Sequence, residues 1–118
     1  MTRQRLPDRR PSATRVIRWV GSDDNLTEYA VTVGFFLDGR PGEVFCSAGK
    51  VGSTMRTTLE DACVVVSLAL QHGVTPAQLV HSMARVPVSV TTSRPASIVG
   101  AIAEALTEVP SEYVTVPK

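Results

Sequence analysis

The chain has 118 residues, 43% of them hydrophobic and 19% charged, with a formal net charge of +1 and only two cysteines. That size supports one domain able to bury roughly 65% of its unfolded surface, and the cysteine count excludes both a disulfide framework and a cysteine zinc cluster. No apolar run approaches the roughly 20 residues of a membrane span, and Met1–Arg18 carries charge where a signal peptide needs an apolar core, so no membrane partner and a cytoplasmic setting are expected.

The charge is unevenly placed. The first 18 residues set Arg3, Arg5, Arg9, Arg10, Arg15 and Arg18 against Asp8 alone, a balance of +5; the remainder holds six basic and ten acidic side chains, a balance of −4. Residues 1–13 read as a flexible, Pro-punctuated basic arm with too little apolar surface to fold alone, ahead of a single domain over 14–118. Arg3, Arg5, Arg9 and Arg10 are candidates for contact with nucleic acid phosphates. The arm can equally lie on an acidic neighbour, its own body included, and it has no aromatic residue to stack on bases.

Thr14–Val20 predicts a short strand, and Gly21–Asn25 a polar turn. Glu28–Leu37 is the clearest strand: Tyr29, Val31, Val33, Phe35 and Leu37 alternate onto one face, with Ala30, Thr32, Gly34 and Phe36 on the other. Asp38-Gly39 then supplies hairpin chemistry, because this pair accepts positive φ cheaply. Glu43–Ala48 returns as a third strand with Val44, Cys46 and Ala48 on one face. The cover for this meander is a long helix. From Met55, the positions Leu59, Ala62, Cys63, Val66, Ala69 and Leu70 follow the spacing of one apolar stripe. Val64, Val65 and Leu68 widen that stripe beyond what a small sheet hides, so another helix or a second protomer is expected over them. Their exposure in a protein that stays a lone monomer would overturn this picture. Gly73 predicts the left-handed cap, and Thr75-Pro76 opens a second helix with Leu79, Val80 and Met83 inward. After an extended stretch, Val86–Thr92, the residues Ser93 and Pro95 set up a third helix with Ile98, Ile102, Ala105 and Leu106 as its stripe. Pro110 lies beyond its end, and Tyr113–Val116 is a possible edge strand. The fold class expected is a two-layer α+β domain, a three-stranded antiparallel meander packed against three helices.

Between the third strand and the long helix lies Ala48-Gly49-Lys50-Val51-Gly52-Ser53-Thr54. It is not a P-loop, which requires glycine at position 44 and a hydroxyl residue at 51, where this chain has Val44 and Val51. Its glycines, the helix start, the Ser53 and Thr54 hydroxyls and the Lys50 and Arg56 charges nevertheless make Gly49, Lys50, Gly52, Ser53, Thr54 and Arg56 a candidate anion or nucleotide site. Arg40, at the hairpin tip, is a further candidate. The plainer reading is a strand-to-helix turn with a solvated lysine. Catalytic machinery is not visible. Ser47, Ser53, Cys46 and Cys63 are nucleophiles by type, but His72 and His81 have no acidic orienter nearby in sequence, and no metal-ligand spacing exists. No catalytic residue, metal or cofactor is expected.

The ordered runs Leu6-Pro7-Asp8-Arg9-Arg10, Asp38-Gly39-Arg40-Pro41-Gly42-Glu43-Val44-Phe45, Gly49-Lys50-Val51-Gly52-Ser53 and Ser67-Leu68-Ala69-Leu70-Gln71-His72-Gly73-Val74 together resemble the C-terminal accessory (TSCPD) domain of cobalamin-dependent, class II ribonucleotide reductases. The resemblance spans most of the chain, up to Ser97-Ile98. The Thr-Ser-Cys-Pro-Asp stretch that names the domain corresponds to Thr92-Ser93-Arg94-Pro95-Ala96, so its cysteine is Arg94 here and its aspartate Ala96. Any thiol or metal role of that cysteine is lost, while Ser93 and Pro95 keep the ability to start a helix. The resemblance implies an accessory module, since the catalytic barrel and cobalamin site of such reductases lie elsewhere in the large enzyme.

Two functions compete on this reading. One is a non-catalytic interaction module that uses Val64, Val65 and Leu68 to form a homodimer or to dock on a larger enzyme such as a reductase. The other is a nucleotide or nucleic-acid binding regulator that uses the Gly49–Thr54 loop and the basic arm.

Overall fold

Three strands, β1 (Ser12–Val20), β2 (Leu26–Phe35) and β3 (Pro41–Cys46), pair in chain order as an antiparallel sheet. The computed structural model describes residues 2–20, 26–46 and 54–108. In β2 the period-two pattern sorts the side chains: Tyr29, Val31, Val33 and Phe35 are buried, while Glu28 and Ala30 face out and Thr32 is half-buried. β1 supplies Ala13 and Ile17 to the same core face, opposite Val33 and Tyr29, and β3 supplies Val44 and Cys46, opposite Val33 and Val31.

Leu37 does not continue the buried face as its alternation predicts; it is 78% exposed. The register shifts at Gly34/Phe35 and β2 ends there, so the two-residue period stops before Leu37. Phe36 instead becomes buried, beside Leu6 of the N-terminal segment. The hairpin turns as its chemistry predicts. Gly39 has φ of 92°, and its N–H donates to Phe36 O at 2.9 Å.

Three helices complete the fold: α1 (Thr54–Gln71), α2 (Pro76–Ser82) and α3 (Ile98–Leu106). α1 buries Leu59, Cys63, Val66 and Leu70, the 4-3-4 stripe read from the sequence. It ends in a Schellman motif around Gly73 (φ 95°), with Gly73 N–H donating to Leu70 O and Val74 N–H to Ala69 O. Thr75 caps α2 in a full capping box with Gln78, and Pro76 begins the helix. α2 has no fully buried residue, although Leu79 packs against the core. α3 buries Ile98, Ile102, Ala103, Ala105 and Leu106 against the sheet's inner face and α1. The result is the expected α+β architecture of a three-stranded sheet and three helices.

The third helix starts later than Ser93 and Pro95 suggest. Its cap is Ser97, whose Oγ accepts from Gly100 N–H at 3.0 Å. Ser93–Pro95 is instead a strand, β5, antiparallel to β4 (Arg85–Pro87), and the extended stretch read over Val86–Thr92 is the first arm and tip of this separate hairpin. Two candidate caps four residues apart, each followed by helix-compatible residues, are hard to separate in sequence. Pairing decides: Arg94 aligns with Val86, and Ala96 N–H donates to Ala84 O. Ser47, Ala48, the 49–53 loop, the turn at 21–25 and the reading of Pro110 and Tyr113–Val116 lie outside the described residues.

The sheet's outer face holds the Glu43 side chain over Gly34. A Cβ at Gly34 would lie 2.7 Å from Glu43 Cγ, so Gly34→Ala is expected to push Glu43 away from Arg10. We expect a loss of about 1 kcal/mol in denaturant unfolding, and little further loss when Glu43→Ala is added to it, because the two changes share one mechanism.

Candidate functional site: a groove between β3 and α1

α1 lies beside the outer edge of β3 and seals it with side chains. Gln71 Nε2 donates to Gly42 O at 2.9 Å. Val44 N–H donates to Ser67 Oγ at 2.9 Å. The Cys63 thiol faces the backbone of Cys46, whose N–H favours its charged form. Cys63, Ser67 and Gln71 recur every four residues, so one face of a straight helix matches the alternate outward groups of Gly42, Val44 and Cys46. An edge strand that would otherwise present bare donors and acceptors is thereby occupied. Sequence reading missed this, since Ser67 entered it only as the first residue of one of the runs that carry the family resemblance. The available signal was its spacing of four from both Cys63 and Gln71.

Above that seam lies a cavity of about 590 Å³, with Phe45 on the sheet side, Val64 and Leu68 on the helix side, and Cys46 and Cys63 among its lining. Phe45 is 56% exposed, Val64 57%, Val65 66% and Leu68 39%, so no helix among the described residues covers the wide side of the stripe. The apolar surface continues across the open sheet face through Ala30 to Val16, its register partner on β1. Phe45 and Val16 were not expected there. Alternation places both on the outward side, where polar residues normally stand, and that is the signal for them.

The thiols facing the groove are quiet. Burial pushes the Cys46 thiol up to about 11, and the neighbouring Cys63 adds to it. Burial also raises Cys63, partly offset by the Cys46 N–H. Both therefore stay protonated near neutrality, a poor state for nucleophiles or metal ligands. No group of three or more His, Cys, Asp or Glu side chains able to hold a metal occurs among the described residues.

The N-terminal segment closes one end of the groove. Gln4 N–H donates to Gln71 O at 2.7 Å, and Arg3 Nε donates to Gln71 Oε1. Arg10 pairs with Glu43 through two nitrogens, its Nη2 donating to Oε2 at 3.2 Å. Arg3 and Arg10 thus contact the body of their own chain, and Arg5 and Arg9 are exposed. Of the candidate anion-site residues, Gly49, Lys50, Gly52 and Ser53 lie outside the described residues. Thr54 opens α1 and is exposed; Arg56 pairs with Glu60 one helical turn on, at 2.9 Å. Arg40 sits at the hairpin, bonded to Asp38 at 2.7 Å and to Gln4 at 2.8 Å, with its guanidinium 4.8 Å from the Phe36 ring centre. Its hydrogen bonds hold the Asp38 carboxyl below the usual range. His72 caps α1 and His81 lies in the last turn of α2. Among the described residues no helix is long and apolar enough to cross a membrane.

A family model described as the TSCPD domain matches residues 2–110. Three curated relatives align over 72 residues, 61% of this chain, and each is named a vitamin B12-dependent ribonucleotide reductase. The protein from Rhodopirellula baltica is 39% identical there. Those from Bradyrhizobium diazoefficiens and Agrobacterium fabrum are each 33% identical. The aligned stretch is only 6% of the first relative's length and 5% of the other two. No solved structure matches the chain.

Proposed function

This chain belongs to the TSCPD domain family, and on that footing we propose that it is a non-catalytic accessory module, related to ribonucleotide reductase, that works by protein–protein docking. The observation that carries the reading is the groove. A helix that already buries Leu59, Cys63, Val66 and Leu70 still presents Val64, Val65 and Leu68 to water, next to an exposed Phe45. Scattered exposed apolar residues are ordinary, but a contiguous apolar concavity is a feature of binding surfaces. The two protonated thiols lining it support a role in packing over a role in chemistry. The relatives are large reductases in which the matching stretch is a small part, which supports an accessory role beside such an enzyme.

Docking through this face makes a direct prediction. Sedimentation of the wild-type chain, alone and with a purified vitamin B12-dependent ribonucleotide reductase, is expected to show association. Val64→Glu with Leu68→Glu should weaken it by at least roughly tenfold, since two desolvated apolar contacts are replaced by charges. Both sites are exposed, so the circular dichroism spectrum should be unchanged. A wild-type chain that neither self-associates nor binds the reductase would overturn the reading.

A further inference from the structure

Arg15 stands where the period of β1 turns side chains inward. Ala13 and Ile17, two residues to either side of it, are buried in the core. Arg15 itself is half-buried, and its Nη1 is shut off from water with no hydrogen-bond partner. None of the ion pairs among the described residues includes it. Among those residues it is the one buried side-chain nitrogen or oxygen left unmet. An unpaired cationic donor beyond the reach of water is costlier than a neutral one. Kept in a folded chain, it points to a ligand or ion that completes it.

Arg15 lines a cleft of about 500 Å³ between β1 and α3, whose apolar walls are Ile17, Trp19, Pro95, Ala101 and Ala105. Trp19 is fixed there by its own bond, Nε1 donating to Pro95 O at 3.1 Å. The other charged side chains of the cleft are mostly engaged. Arg18 pairs with Glu28 at 3.5 Å, Glu104 pairs with Arg85 at 3.0 Å, and Arg94 has its own interaction within the chain. Glu108 is exposed. We propose that this cleft binds a small organic monocarboxylate, its oxygens on the Arg15 guanidinium and its apolar body against Trp19 and α3. A turn of the guanidinium about its stem brings Nη1 to the cleft, where its planar fork matches a planar carboxylate. Glu104 and Glu108 line the same space and repel a second negative charge, which favours a monocarboxylate over a phosphate dianion. The cleft follows β1 and the docking groove follows β3, at the other edge of the sheet, so the two sites stand or fall separately.

The test uses the full-length chain, in which Trp19 is the single tryptophan and reports on the cleft through its fluorescence. Titration with cyclohexanecarboxylate is expected to give a saturable change. The neutral cyclohexanecarboxamide and inorganic phosphate should each bind at least roughly tenfold more weakly, a comparison that needs no variant to fold. Arg15→Gln should weaken the carboxylate by roughly tenfold or more. Arg15→Met exchanges the unmet cation for an apolar chain, so the ligand-free variant should unfold at a higher midpoint than wild type. Added carboxylate should raise the wild-type midpoint and leave that of Arg15→Met unmoved. No saturable change, equal binding of acid and amide, or unaltered affinity in Arg15→Gln would overturn the site. Phosphate binding as tight as the carboxylate would overturn the ligand class. A lower midpoint for ligand-free Arg15→Met would show the guanidinium already satisfied by the fold, and would overturn the premise.

Discussion

Ile102→Ala is expected to destabilise the protein by about 2–5 kcal/mol, the range for removing a buried isoleucine side chain down to its Cβ. Ile102 is 1% exposed at the centre of α3, which has only 9 residues to hold it on the sheet. Its neighbours in the stripe, Ile98, Ala105 and Leu106, belong to the same core cluster as Val31, Val33 and Leu59, and α3 packs against α2, β1, β5 and α1. β1 and β5 are backbone-paired strands that cannot readily follow a shrinking side chain, so collapse into the cavity is limited and the loss should fall in the upper half of the range. Thermal and denaturant unfolding should both report it, with the midpoint moving and the denaturant slope unchanged. A loss below about 1 kcal/mol would mean that α3 is not packed as described.

Gln71→Ala is expected to cost about 1–3 kcal/mol, the penalty for leaving a buried backbone carbonyl without its donor. The side chain is 6% exposed and serves two segments at once, donating to Gly42 O and accepting from Arg3. Truncation therefore opens one end of the β3 seam and loosens the N-terminal segment in the same step. Amide exchange should become faster at Gln4 and near Gly42, while Ile102 and its surroundings keep their protection. Deletion of residues 1–5 should reproduce the Arg3 and Gln4 part of the effect alone, because Gly42 O keeps Gln71 in that variant. Equal effects of the deletion and of Gln71→Ala would show that the seam bond contributes nothing.

Much of the fold was legible because it is written in periods. The alternation at Tyr29, Val31 and Val33, the stripe from Leu59 to Leu70, the Asp38-Gly39 turn and the Gly73 cap each follow from one local rule. Legibility failed where tertiary pairing outranks local preference. Ser93 and Pro95 look like a helix start, yet their strand is chosen by β4 across a turn. Leu37 satisfies the alternation and is still exposed, because a register shift ends the strand before it. The exposed triplet Val64, Val65 and Leu68 was visible as an excess of apolar residues. The opposite wall, Phe45, was not, because only the assembled sheet edge brings it beside the helix. Arg10 illustrates the same limit: an arginine in a basic arm gives no sign in sequence that its carboxylate partner is Glu43.

The row of Cys63, Ser67 and Gln71 along β3 has a consequence for how this protein can grow or fail. One margin of the ladder is already spoken for by a helix, so among the described residues the margin left for an incoming polypeptide is that of β1, on the side that Trp19 and Pro95 guard. Runaway stacking from both flanks, the route to fibres, is thus reduced to a single approach. Changes that free the helix from β3 would be expected to restore the second.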